Sequence, residues 1–117
     1  MTYQDISYVD LTNDIRTYID HVNYHTDDTD PGFQEQLADE RRYIHHSVRL
    51  FRNHASLDDH NTSLIMLAIV RNRIYRYVAM ALQAGADFNI TEAARLLNFI
   101  EQYAHTTQVK ISIAQKA

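Results

Sequence analysis

Cysteine is absent from the 117 residues. That excludes a disulfide frame, a thiolate metal site and a cysteine nucleophile. Proline occurs once, at Pro31, and glycine twice, at Gly32 and Gly85. Strand-rich domains need many turns, and turns draw on these two residue types. Such scarcity points to a few long helices. It also leaves no G-x-x-x-x-G-K or G-x-G-x-x-G loop to cradle a phosphate, and there is no nucleophile elbow. Long apolar runs are missing too. The longest, "LIMLAIV" from Leu64 to Val70, falls far short of the ~20 residues of a membrane span. The opening "MTYQDISYVD" has neither the basic flank nor the apolar stretch of a signal peptide. The expectation is a cytoplasmic protein with no membrane span. A chain of this length makes one domain that buries roughly two-thirds of its unfolded surface.

Charge is present but unevenly placed. The net charge is −4, yet residues 1–40 hold ten acids and one base (Arg16), and residues 41–117 hold ten bases and five acids. No run of one sign is long enough to form an interaction tail, so the two parts are expected to pack side by side. Arg41, Arg42, Arg49 and Arg52, with Arg71, Arg73 and Arg76, could form a basic face. The acidic balance argues against bulk affinity for nucleic acid. Pairing with Asp10, Asp14 and Asp20 is the plainer use for these arginines.

Apolar residues recur at helical spacing in four segments. The first, roughly Ile6 to Tyr24, aligns Tyr8, Leu11, Ile15, Tyr18, Ile19 and Val22. The second, roughly Pro31 to Ala55, aligns Phe33, Leu37, Ile44, Val48 and Phe51. The third, roughly Thr62 to Gln83, carries Leu64, Ile65, Leu67, Ala68, Val70, Ile74, Tyr75, Val78, Ala79 and Leu82. Its first half is apolar nearly all round, as in a central helix. The fourth, roughly Glu92 to Ala104, aligns Ala93, Leu96, Leu97, Ile100 and Tyr103, with Thr91 as its cap and Gly85 in the turn before it. Then Val109, Ile111 and Ile113 alternate with polar residues, which is a strand pattern. The predicted fold is all-α: an antiparallel four-helix bundle over residues 1–105, followed by an extended C-terminal tail over 106–117.

Three stretches invite a chemical reading. In "HTDDTDPGF" (His25 to Phe33), placing Gly32 at the sixth position of a calcium loop puts Pro31 at the fifth and Ala38 at the twelfth. Neither side chain can ligate, so the loop fails. Asp30 as a helix cap and Pro31 in the first turn fit better. His21 and His25 stand four apart, a spacing at which two imidazoles can share a metal. The zinc-protease Glu is replaced by Val22 and no third ligand is evident, so no metal and no cofactor is expected. "RLFRNH" (Arg49 to His54) has the form R-x4-H. It looks like the motif of the HEPN ribonucleases, which implies phosphate stabilisation by Arg49 and proton transfer by His54.

The order of segments resembles the bacteriocin immunity proteins of lactic acid bacteria, the enterocin A type. The likeness is carried by "DLTNDI" (Asp10 to Ile15), "IVRNRIYRYVAMAL" (Ile69 to Leu82) and "FNITEAARLLNFI" (Phe88 to Ile100). It implies a four-helix bundle that is not an enzyme and that protects the producing cell by engaging the membrane receptor complex of its bacteriocin. The tail from Thr106 and the third–fourth hairpin would then recognise the partner. The expected partner-binding residues are Arg71, Arg73, Tyr75, Arg76, Tyr77, Val109, Lys110, Ile111 and Ile113. The alternatives are a nucleic-acid enzyme or binder using Arg49 and His54, or a phage or other accessory protein with a different partner.

Overall fold

The structure is a computed structural model that describes residues 7–22, 31–83 and 90–116. Four helices follow in order: α1 (Tyr8–Val22), α2 (Pro31–Ser56), α3 (His60–Gln83) and α4 (Ile90–Lys116). No strand occurs among the described residues. Each helix packs on two neighbours, in the cyclic order α1, α2, α3, α4. The starts of α1 and α3 lie beside the end of α2 and the second half of α4, where Tyr8, His60, Ala55 and Thr107 border one cleft. Neighbouring helices are therefore antiparallel, as short connections between apolar-faced helices require.

The helix ends follow from local chemistry. Ser7 caps α1: its hydroxyl accepts a hydrogen bond from the Asp10 N–H at 3.0 Å, and its carbonyl accepts one from Leu11 at 3.1 Å. α2 starts at Pro31, where the absent N–H costs nothing. Asp30, the rest of residues 23–30 and Gly85 lie outside the described residues. Between α2 and α3 the chain turns within three residues. Asp59 N–H reaches back to the His54 carbonyl at 3.0 Å and Asp58 N–H to the Ala55 carbonyl at 3.2 Å. This is the paired closure that satisfies the last carbonyls of a helix, and it requires a left-handed residue. Asp58 fills that place with φ 56°. Asp is among the few side chains that tolerate it.

One core fills the interior. α1 contributes Leu11, Ile15 and Ile19, and α2 contributes Leu37, Ile44, Val48 and Phe51. α3 adds Leu67, Val70, Ile74 and Tyr77, and α4 adds Leu96 and Ile100. The apolar stripes read from α1, α2 and α4 face this core, with Tyr8, Tyr18, Phe33, Leu97 and Tyr103 only partly buried against it and the Val22 side chain outside the described residues. α3 departs from expectation. It is not wrapped on all sides, because it touches only α2 and α4. Ile65, Tyr75 and Leu82 are consequently at least half exposed.

The strand pattern at the C-terminus is a second departure. Residues 106–116 are not an extended tail but the last three turns of α4. From Thr91 to Ala117 there is no glycine or proline to stop a helix. Thr107 and Ile111, four apart, prolong the inward face of Ile100 and Tyr103, and Thr107 is buried. A helix also satisfies its backbone groups locally, whereas a lone strand has no partner for them. The alternation of Val109, Ile111 and Ile113 therefore becomes a different division: Ile111 is half-buried, while Val109 and Ile113 stand outward.

The two sides of α3 predict opposite responses to truncation. Ile74→Ala, in the core, should cost about 2–5 kcal/mol. Ile65→Ala, on the solvent side, should stay within about 0.5 kcal/mol of the parent. Urea unfolding of the two variants checks this. Equal losses would mean that the outward face of α3 is covered.

Candidate functional site

Three hollows among the described residues border the second half of α4. On one side a groove of about 170 Å³ separates α4 from α3, with Leu64, Ala68 and Arg71 facing Ile100 and Ala104. On the other side a cleft of about 220 Å³ lies between α4 and the start of α1, bordered by Tyr8, Asp58, His60, Tyr103 and Lys110. Beyond it a third hollow, about 330 Å³, sets Ile111 and Ala114 against residues 58–61 of the α2–α3 turn. Small side chains (Ala68, Ala104, Ala114) open the first and third of these.

The outer side of this stretch is apolar. Val109 is 43% exposed and Ile113 is 64% exposed. Four residues apart, they stack in successive turns on one face. Lys110 lies between them in sequence and Lys116 one turn on. What holds this region in place is an anchor one turn earlier. Tyr103 and Phe51 meet edge to face with ring centroids 5.4 Å apart, and Thr107, one turn on, is buried. Burial pushes the Tyr103 phenol above its ordinary value, against the opposing effect of the neighbouring Thr107 side chain.

The other residues singled out in the sequence divide sharply. Tyr77, expected to face a partner, is only 1% exposed, lies in the core and cannot do so. Four residues of apolar spacing from Val70 through Ile74 to Ala81 carry it inward. Its neighbour Tyr75 is exposed. The arginines of α3 are mostly engaged within the bundle. Arg71 pairs with Glu101 at 3.0 Å, Arg76 Nε with the buried Glu40 at 3.2 Å, and the Arg73 guanidinium lies over the Tyr43 ring at 5.0 Å. Asp20, expected to meet an arginine, meets His45 instead, Nε2 to Oδ1 at 3.0 Å. Arg42 pairs with Asp39 on its own helix.

The R-x4-H pair does not converge within the chain. Five residues of helix separate the two side chains by about 140° around the axis. Arg49 is exposed, whereas His54 is half-buried and turned to Asp59, Nδ1 to Oδ2 at 3.1 Å. His54 is thus a brace for the α2–α3 turn. Asp59 also caps α3 by accepting the Thr62 N–H at 3.3 Å. Among the described residues no three His, Cys, Asp or Glu side chains gather as a metal would need. The His21 side chain and His25 lie outside the described residues. No helix among the described residues is long and apolar enough to cross a membrane.

No protein-family model matches the chain, and no curated protein or solved structure is significantly similar to it. The surface of α4 was only half visible in the sequence. Val109, Ile111 and Ile113 stood out, but the pattern that exposes two and turns one inward requires the helix. The Phe51–Tyr103–Thr107 anchor and the His54–Asp59 brace had no signal beyond polar residues near a turn.

Asp59 links this site to pH. Its carboxyl sits below its ordinary value of 3.8, first through hydrogen bonding from the Thr62 side chain, then through the Thr62 backbone and His54. A depressed carboxyl stabilises the fold above its unfolded value. That contribution is lost as pH falls through the lower folded value, so it fades below about pH 4. Asp59→Ala should lower the melting temperature at pH 7 and by less at pH 3. Asp59→Asn, which can still cap, should lie between the parent and Asp59→Ala at pH 7. Thermal melts at the two pH values test this, and an equal loss at both would exclude the ionised cap.

Proposed function

We propose that the chain acts by binding another protein and not by catalysis, with the second half of α4 as its contact surface. Within that class the specific reading is bacteriocin immunity, in which the partner is the membrane receptor complex of a bacteriocin. The observation that carries the binding role is the exposed pair Val109 and Ile113, set on a helix whose other side is anchored by Tyr103 and Thr107. Burying a side chain of this kind contributes about 1.5–3 kcal/mol. A rigid helix loses little conformational freedom in doing so. The apolar pair with lysines beside it suits the pattern of protein interfaces, an apolar centre with a polar rim. The immunity role is supported by the three stretches of resemblance, two of which fall in α3 and at the α3–α4 connection.

The alternative, a ribonuclease built on Arg49 and His54, has less behind it, because the two side chains lie on different sides of α2 and His54 is occupied by Asp59.

The test is an affinity capture from producer-cell membranes solubilised in mild detergent, with and without an enterocin-type peptide. The parent chain is compared with a Val109→Asp/Ile113→Asp variant whose helicity is checked by circular dichroism. Recovery of a membrane protein by the parent, lost in the variant, is the expected result. Recovery of RNA that depends on Arg49 and His54, with no membrane protein, would overturn the proposal.

A further inference from the structure

Positive charge collects along the seam between α1 and α2. Arg41, His45, Arg49 and Arg52 recur on α2 at spacings of four, four and three. At about 100° and 1.5 Å per residue they fall within an arc of about 80° and run for about 16 Å. The contact of His45 Nε2 with Asp20 Oδ1 sets that arc against α1. It also fixes the register. The two helices are antiparallel, so Arg16, one turn before Asp20, stands level with Arg49, one turn beyond His45. Arg49 and Arg52 are exposed, and Arg16 and Arg41 are half-buried. Among the described residues no acid pairs with any of these four arginines. By contrast, Arg42, Arg71, Arg76 and Arg95 each have one, and Arg73 has the ring of Tyr43. On a chain of net charge −4, the cations without a counter-charge therefore gather in one place.

The acids of α1 do not answer them. Asp20 is taken by His45. Asp14 lies one turn from Tyr18, whose phenol feels the charge of Glu92 on α4, and Asp10 lies one turn further along the same row. α1 thus carries Asp10 and Asp14 away from the seam and turns Arg16 toward it. Like charges at these spacings repel, so the row does nothing for the fold by itself. We infer that the seam is a docking site for an acidic segment of a protein partner, whose carboxylates are met by Arg16, Arg49 and Arg52. The planar fork of a guanidinium matches a carboxylate with two parallel hydrogen bonds. A narrow segment lying along the seam touches cations only. A broad polyanion such as a lipid surface would also meet the exposed Asp10 and the rest of an acidic molecule. A single strand of nucleic acid is held by aromatic faces as well as by cations, and the exposed Tyr43 stands on the opposite side of α2, under Arg73 of α3. The seam does not include Val109 or Ile113, so this inference stands apart from the proposed function.

Binding measurements on the full chain test it. The probes are a short Glu-rich peptide, the same peptide with Gln in place of Glu, a single-stranded RNA of matched charge, and vesicles of phosphatidylglycerol. The expected result is binding of the Glu peptide that weakens with added salt, and none of the Gln peptide. Arg49→Glu should weaken binding about tenfold. Arg95→Glu, the same change of charge on α4, should leave it nearly unchanged. Because the row repels itself, Arg49→Glu should keep or raise the melting temperature. No binding of the Glu peptide overturns the inference, as does equal binding of the Gln peptide. So does tighter binding of the RNA or the vesicles, or a loss that Arg95→Glu reproduces. A melting temperature lowered by Arg49→Glu would overturn it too, since the row would then serve the fold.

Discussion

The contact of Tyr103 with Phe51, with Thr107 buried one turn beyond it, is what this end of the molecule rests on. It fixes α4 against α2 at the level where α1 begins and α2 ends. Because Thr107 is one turn beyond Tyr103, the same anchor commits α4 to remain helical after its neighbour α1 has no more surface to offer. Everything outward of it follows. Ile111 turns toward the α2–α3 loop, and Val109 and Ile113 are left in solvent. A strand in this place would put all three on one side. The free energy that selects the helix is modest for any one residue, but the unbroken hydrogen-bond ladder and the buried Thr107 act in the same direction.

The α2–α3 turn has a comparable role on the other side of the cleft. It is built from charged residues where glycine is the usual choice. Asp58 accepts the left-handed backbone, Asp59 caps the next helix, and His54 braces Asp59 from the last turn of the preceding one. The consequence is an acidic point where α3 begins. A turn closed by glycine would have supplied the same geometry without the charge. The acidity at the start of α3 therefore follows from a choice of turn chemistry.

Most of the fold was legible in the sequence, because apolar spacing, the lone proline and the scarcity of glycine all act locally. Leu11, Ile15 and Ile19 lie four apart and are buried together; Leu37, Ile44, Val48 and Phe51 do the same for α2. What was not legible depends on which helix lies next to which. Tyr77 and Tyr75 are two positions apart and similar in chemistry, yet one is core and the other surface, since α3 is covered only on the sides of α2 and α4. Ile65 looked like core for the same reason. The C-terminal alternation misled because periods of two and of 3.6 residues both accommodate three apolar side chains in five positions. Only a contact elsewhere in the chain, at Tyr103 and Thr107, decides between them.

The exposed surface formed by Val109 and Ile113 depends on α4 being one helix from Ile90 to Lys116. Backbone NMR of the full chain addresses this directly, through Cα shifts and amide exchange over residues 106–116. Helical shifts running without a break from Ala104 through Ile113, with slowed exchange at Thr107 and Ile111, are the predicted result. Extended-type shifts, or a return to random-coil values after Ala104, would contradict it. The exposed pair would then no longer be presented on a fixed surface.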